Sequence, residues 1–166
     1  SPIYGAALHV EGSCPGVSWG TAAGSTDHTN EIPLTPEHPI RLASVSKTYV
    51  AAAILRLWED KHIKLNTAIS EYISAEHSQC LRLGGYQPDH INVRHLLTHT
   101  SGLFDYADSG AFAKKIASDF AHRWRRTEQL QLAMDEGSPY GQPGEVYRYS
   151  DTGYILLGEI IESITG

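Results

Sequence analysis

Ser44-Val45-Ser46-Lys47 sets a hydroxyl and an amine three residues apart, at the head of a stretch that reads as a helix. On a helix, positions i and i+3 share a face, so Lys47 Nζ can reach Ser44 Oγ. A serine hydroxyl attacks a carbonyl only once a base takes its proton. A lysine serves as that base only if desolvation or a cationic neighbour lowers its pKa. Residues 48–55 carry no charge, which predicts a helix buried on every side and a desolvating environment for the amine. The helix start adds backbone N–H groups and a positive partial charge that favour a developing oxyanion. The same four residues also fit a helix cap, Ser44 or Ser46, followed by a surface lysine.

Much later in the chain, Tyr147-Arg148-Tyr149-Ser150-Asp151 follows a Gly/Pro-rich loop at 137–144 and precedes another helical stretch. A tyrosine here could share proton transfer with Lys47, because a nearby ammonium favours the phenolate. Packing tyrosines, with Asp151 as a helix cap, account for the same residues, and the two readings are compatible.

Other patterns carry less. Gly16-Val17-Ser18-Trp19-Gly20 matches G-x-S-x-G, but that chemistry needs a strand, a sharp turn at the serine and then a helix. Pro15 before it and the helix-poor 21–26 after it read instead as a strand with alternating residues. His95 and His99 have the i, i+4 spacing of zinc ligands, yet Leu96 stands where a zincin has its glutamate. No metal and no organic cofactor is expected. Arg123, Arg125 and Arg126 around Trp124 read as a solvated face.

The elements that must position these groups change character along the chain. Strands are expected at 3–10 and 17–23 and a short one at 40–43, with a polar, proline-interrupted stretch at 24–39 between them. Helices are expected at 46–61, 67–73, 92–98, 127–136 and 151–165, the last with Tyr154, Leu157, Ile161 and Ile164 on one face. Strands followed by a helical run define an α+β class rather than alternating βα units.

Composition bounds the partners. The 166 residues are 41% hydrophobic and 19% charged, right for one globular domain with a true core. A net charge of −6 disfavours nucleic acid and acidic membranes, and no apolar run is long enough to span a bilayer. Cys14 and Cys80 form no CxxC pair; one disulfide or two buried thiols both fit. Met134 is the only methionine, so Ser1 is not a translation start. A cleaved secretory signal would leave such a beginning, and a periplasmic or secreted protein is expected.

Three segments in order, 41–47, 94–103 and 149–162, resemble the serine β-lactamase-related family, which includes class C β-lactamases, DD-peptidases and esterases. The resemblance implies a β-lactamase/DD-peptidase-like fold, an antiparallel sheet packed with helices. It implies Ser44 as acylated nucleophile, Lys47 as its base partner, Tyr149 as the tyrosine of a Y-x-N motif, and acyl transfer from an ester or amide. His99-Thr100-Ser101-Gly102-Leu103 corresponds to a structural turn. Tyr149 is preferred to Tyr147 on this match. Asp151 stands where the family more often has Asn; as an anion it cannot donate to a substrate carbonyl, and it favours a protonated Lys47. Short esters should therefore outperform penicillins. The third motif, a cation-Thr/Ser-Gly on a strand, is missing, since Ile164-Thr165-Gly166 reads as a helix stop. Residues 1–166 are thus expected to be one domain lacking its C-terminal part, with a strand-rich 1–43 and a helical 44–166. That missing part is itself an expected partner. The competing readings are a non-catalytic, penicillin-recognising or protein-binding relative and an α/β-hydrolase using Ser18.

Overall fold

A computed structural model of the chain describes residues 3–13, 16–29 and 31–166. It divides into two compact units at Ala43/Ser44. The first holds an antiparallel hairpin, β1 (Gly5–Glu11) and β2 (Ser18–Gly24), registered from Gly5 opposite Gly24 to Glu11 opposite Ser18. Glycine is required at 24, where φ is +90° and a Cβ would strike the Tyr4 carbonyl. Ser18 therefore opens a strand, and β2 runs on where a nucleophile elbow would need a helix. The strand expected at 40–43 does not form. Those residues are irregular and lead into a 3-10 turn, Ala43–Val45, in which Ala43 takes φ +47°. An L-residue with a left-handed backbone cannot continue a strand.

The second unit is helical, with six α-helices among its residues. These are α1 (Ser46–Glu59), α2 (Ala75–Leu83), α3 (Val93–Leu97), α4 (Gly110–Ser118), α5 (Arg126–Glu136) and α6 (Asp151–Thr165). α6 is the centre: it packs against α1, α3 and α5, while α2 packs on α5. Leu156, Leu157 and Ile160 of α6 are fully buried, with Ile54, Leu81, Leu96 and Leu130 in the same apolar cluster. Burying each such side chain contributes about 1.5–3 kcal/mol.

Three expectations need correcting. The helix at 67–73 is only a 3-10 turn, Ile69–Glu71, because Ile69 and Val93 give their backbone N–H groups to Ile91 and Thr67 carbonyls across a β-like bridge. α1 is not buried all round: only Ile54 is fully buried, and Tyr49 is 68% exposed. Nor does a serine side chain cap α1, since Val45 occupies the cap and the helix grows out of the 3-10 turn, freeing Ser44 Oγ for other partners.

A polar cluster ties the helices together. Glu159 on α6 accepts from the Ser74 N–H at 2.8 Å and pairs with His77 Nδ1 at 2.7 Å. The other His77 nitrogen meets Thr127 Oγ1 at 2.9 Å. Both His77 and Glu159 are only 7% exposed, so α2, α5 and α6 are fixed by one fully satisfied network.

Candidate active site

Ser44 is the middle residue of the 3-10 turn and Lys47 lies on the first turn of α1, so the i, i+3 relation brings Lys47 Nζ to 3.3 Å from Ser44 Oγ. From the opposite direction the Tyr149 hydroxyl donates to the same oxygen at 2.8 Å. Two groups, one three residues away and one 105 residues away, thus converge on the Ser44 hydroxyl. Tyr149 makes this bond; Tyr147 sits edge-on to His99 and is largely exposed.

Asp151 is not a cap. It is the first residue of α6, and its Oδ1 pairs with Lys47 Nζ at 2.5 Å. Tyr154, one turn along the same face, stands beneath the ammonium, which lies 5.6 Å from its ring centre and 5.0 Å from that of Tyr149. The Lys47 side chain is only 17% exposed. Burial pulls its pKa down, but hydrogen bonds to Asp151 and Tyr149 and the charge of Asp151 outweigh it, leaving the ammonium above its ordinary value. That is the opposite of what an amine base requires: at neutral pH Lys47 is a cation.

The segment bearing Tyr149 is laced to the turn after α3. The Arg148 N–H donates to the His99 carbonyl at 2.8 Å, and the Ser150 N–H to His99 Nδ1 at 3.2 Å. The Gly144 N–H donates to the Thr100 carbonyl and the Tyr140 N–H to that of Gly102. Gly102 has φ +76°, and a Cβ there would run into the Gly141 carbonyl, so the loop approaches as closely as glycine permits. Thr152 Oγ1 donates to the Phe104 carbonyl at 2.8 Å and accepts from the Tyr106 N–H at 3.0 Å, fixing the start of α6 and with it Asp151. A cavity of about 280 Å³ opens beside Tyr149, lined by Asp105, Asp108, Tyr147 and Arg148. Burial raises the Asp105 carboxyl, although Ala107 and Asp151 N–H groups bond to it.

Sequence reasoning did not assign His99 and Tyr154 to this centre. The only local signal was that Tyr154 falls three residues after Asp151 and so shares its face. His95 and His99 do not act together: His95 Nδ1 accepts from the Asn92 N–H in a helix cap. Arg126, from the basic patch, pairs with Glu162. The pairing of Cys14 falls outside the described residues.

A two-stranded antiparallel sheet in one unit and six helices in the other, with Ser44 and Lys47 at a helix start facing a tyrosine, define an α+β protein of the β-lactamase/DD-peptidase-like fold. The Beta-lactamase family model matches residues 5–166, and the chain belongs to that family. Penicillin-binding protein 4* of Bacillus subtilis (strain 168) is 33% identical over 145 residues, which cover 86% of this chain and 29% of that protein. The D-amino acid amidase from Ochrobactrum anthropi SV3, solved with D-phenylalanine, superposes with a TM-score of 0.76 at 28% identity. That match covers 98% of this chain and 41% of the amidase. A penicillin binding protein from Bacillus halodurans gives a TM-score of 0.71 at 27% identity, over 96% of this chain and 44% of its own. The chain therefore spans less than half the length of each of these relatives.

Proposed function

We propose that the protein is a serine hydrolase that cleaves an ester or amide through an acyl-enzyme on Ser44. The observation that carries this reading is the sharing of Ser44 Oγ between Tyr149 Oη and Lys47 Nζ, at 2.8 Å and 3.3 Å. For the attack, Tyr149 first gives its hydroxyl proton to solvent, a loss that the adjacent Lys47 ammonium favours. As Ser44 Oγ attacks the carbonyl carbon, its proton passes to Tyr149, which then hands it to the departing alcohol or amine. Water regenerates the hydroxyl by the reverse path: Tyr149 takes its proton, the ester bond to Ser44 breaks, and the serine oxygen is reprotonated. Lys47 acts as a fixed cation rather than as the base. The uncapped first turn of α1 offers backbone N–H groups toward the charge that grows on the carbonyl oxygen. The cavity beside Tyr149 has room for a small acyl group or amino-acid side chain, in keeping with relatives named as penicillin-binding proteins and a D-amino acid amidase. A periplasmic or secreted location is part of the same proposal.

A second reading keeps the fold and the acylation but not the turnover. It is favoured by the Lys47–Asp151 ion pair, which commits to Asp151 a cation that deacylation would draw on. Labelling the full-length protein with a fluorophosphonate and mapping the modified peptide tests both. The hydrolase reading expects label on Ser44, none in Ser44→Ala, and ester turnover that falls by at least about 10³-fold in that variant. Label on Ser18, or no label, removes Ser44 as nucleophile; label without turnover leaves the binding reading.

A further inference from the structure

We propose that His99 is the positioning residue of this centre: its neutral imidazole holds Tyr149 on Ser44, and proton uptake by the ring releases that hold. The kinetic part rests on the hydrolase reading above; the structural part rests on geometry alone.

His99 grips the tyrosine segment at three points. Its carbonyl takes the Arg148 N–H and its Nδ1 takes the Ser150 N–H, one on each side of Tyr149 in sequence. Its ring stacks on the Tyr149 ring, with centroids 4.4 Å apart and planes 28° from parallel, and on the Tyr154 ring at 5.0 Å and 28°. The grip is built into the backbone, since His99 has φ +55°, a left-handed conformation that few side chains share with histidine. It aims the imidazole back at a segment some fifty positions away.

The Nδ1 contact works in only one protonation state. To accept from Ser150, Nδ1 must carry no proton, so the neutral ring holds its hydrogen on Nε2. A second proton would set N–H against N–H and push the Ser150 backbone away. The groups facing the ring are Lys47 from α1, Asp151 and Tyr154 from α6, and Tyr147 and Tyr149 from the segment before it. Burial and then the Lys47 charge lower the His99 pKa, outweighing Asp151 and the Ser150 contact, which raise it. The ring is therefore neutral at pH 7, and the hold is lost on the acid side of the ordinary histidine value.

The test uses the full-length protein and two variants that split the functions of the ring. In His99→Asn the amide oxygen takes the place of Nδ1, suits a positive φ and cannot be protonated. In His99→Phe the stack remains without an acceptor. Ester kcat and KM are measured from about pH 4.5 to 9. The wild type should lose kcat about tenfold per pH unit below the His99 ionisation, with KM nearly flat. His99→Asn should stay within about tenfold of the wild-type plateau and lose that acid limb, and His99→Phe should lose about 10²-fold in kcat at every pH. A purely structural role would lower the active fraction in both variants and leave the acid limb in place; an unchanged limb in His99→Asn overturns the proposal.

A second measurement needs no turnover. In Ser44→Ala protein with labelled tyrosine and histidine, the Tyr149 ring resonance should move with the midpoint of His99 and lose that step in His99→Asn. A Tyr149 signal indifferent to the titration overturns the proposal. Wild-type protein with no Ser44-dependent turnover would remove the hydrolase reading, while the resonance measurement still decides the role of His99.

Discussion

Asp151 has the largest say over the chemistry of this centre. Its carboxylate holds Lys47 as an ammonium and offers substrate no N–H. Ester hydrolysis in the full-length protein should therefore exceed penicillin hydrolysis, and Asp151→Asn should raise the penicillin-to-ester ratio by about tenfold or more. Parallel steady-state assays check this, and a ratio that does not move would refute it. The pair also has a pH signature. Because the folded-state pKa of Lys47 is raised, the stability it contributes is complete below about pH 10.4 and fades as pH climbs through the raised value. Denaturant titrations at about pH 8 and 11 should show a loss in the wild type that is smaller in Asp151→Asn. Of these contacts, the Ser44–Lys47 spacing was legible because it is local. The meeting of Lys47 with Asp151 was anticipated only as an electrostatic preference, and the stacking of His99 not at all. A histidine beside a turn carries no mark of the ring it will touch fifty positions later.

At the level of elements, legibility followed the caps and the apolar stripe. α3 was expected at 92–98, and the structure shows Asn92 capping it by accepting from the His95 N–H; α6 announced itself by its apolar face. α2 did not, although Ser74 caps it, because two of its three buried residues are polar, His77 and Ser78. A stripe made of hydrogen-bonding residues has no hydrophobic period to detect. α4 is amphipathic, but it is only nine residues long, starts on a glycine and buries no residue fully, so it was not anticipated. The hidden network in α2 carries weight. Glu159→Ala would leave the Ser74 N–H and His77 Nδ1 without their acceptor in the interior. It should lower unfolding stability by about 3 kcal/mol, whereas Thr127→Val, which removes one neutral partner, should cost about 1 kcal/mol. Urea unfolding of the two variants checks the order, and equal losses would show that the carboxylate is not the keystone.

Across the whole chain, packing is uneven. The helical unit has a continuous core, whereas every residue of β1 and β2 is at least partly exposed, and a two-stranded hairpin is at best marginally stable by itself. Amide exchange in the 166-residue chain should be fast at 5–24 and slowest in α6; equal protection in the two would contradict this. α1 leaves Tyr49 largely exposed and Trp58 48% exposed. Set beside relatives more than twice as long, this supports the proposal that residues 1–166 are part of a larger domain. The 166-residue chain alone should then bind a hydrophobic dye and self-associate, and the full-length protein should not. A monomeric, dye-silent chain would count against it. One backbone angle has a consequence for how such a protein adapts. Ala43 sits at φ +47° immediately before Ser44, a posture costing about 1 kcal/mol that glycine would relieve. Selection for heat resistance would reward glycine at 43, and selection for turnover would resist it, because the same freedom loosens Ser44, the proposed nucleophile. Lineages from hot and temperate habitats would be pulled apart at this one position.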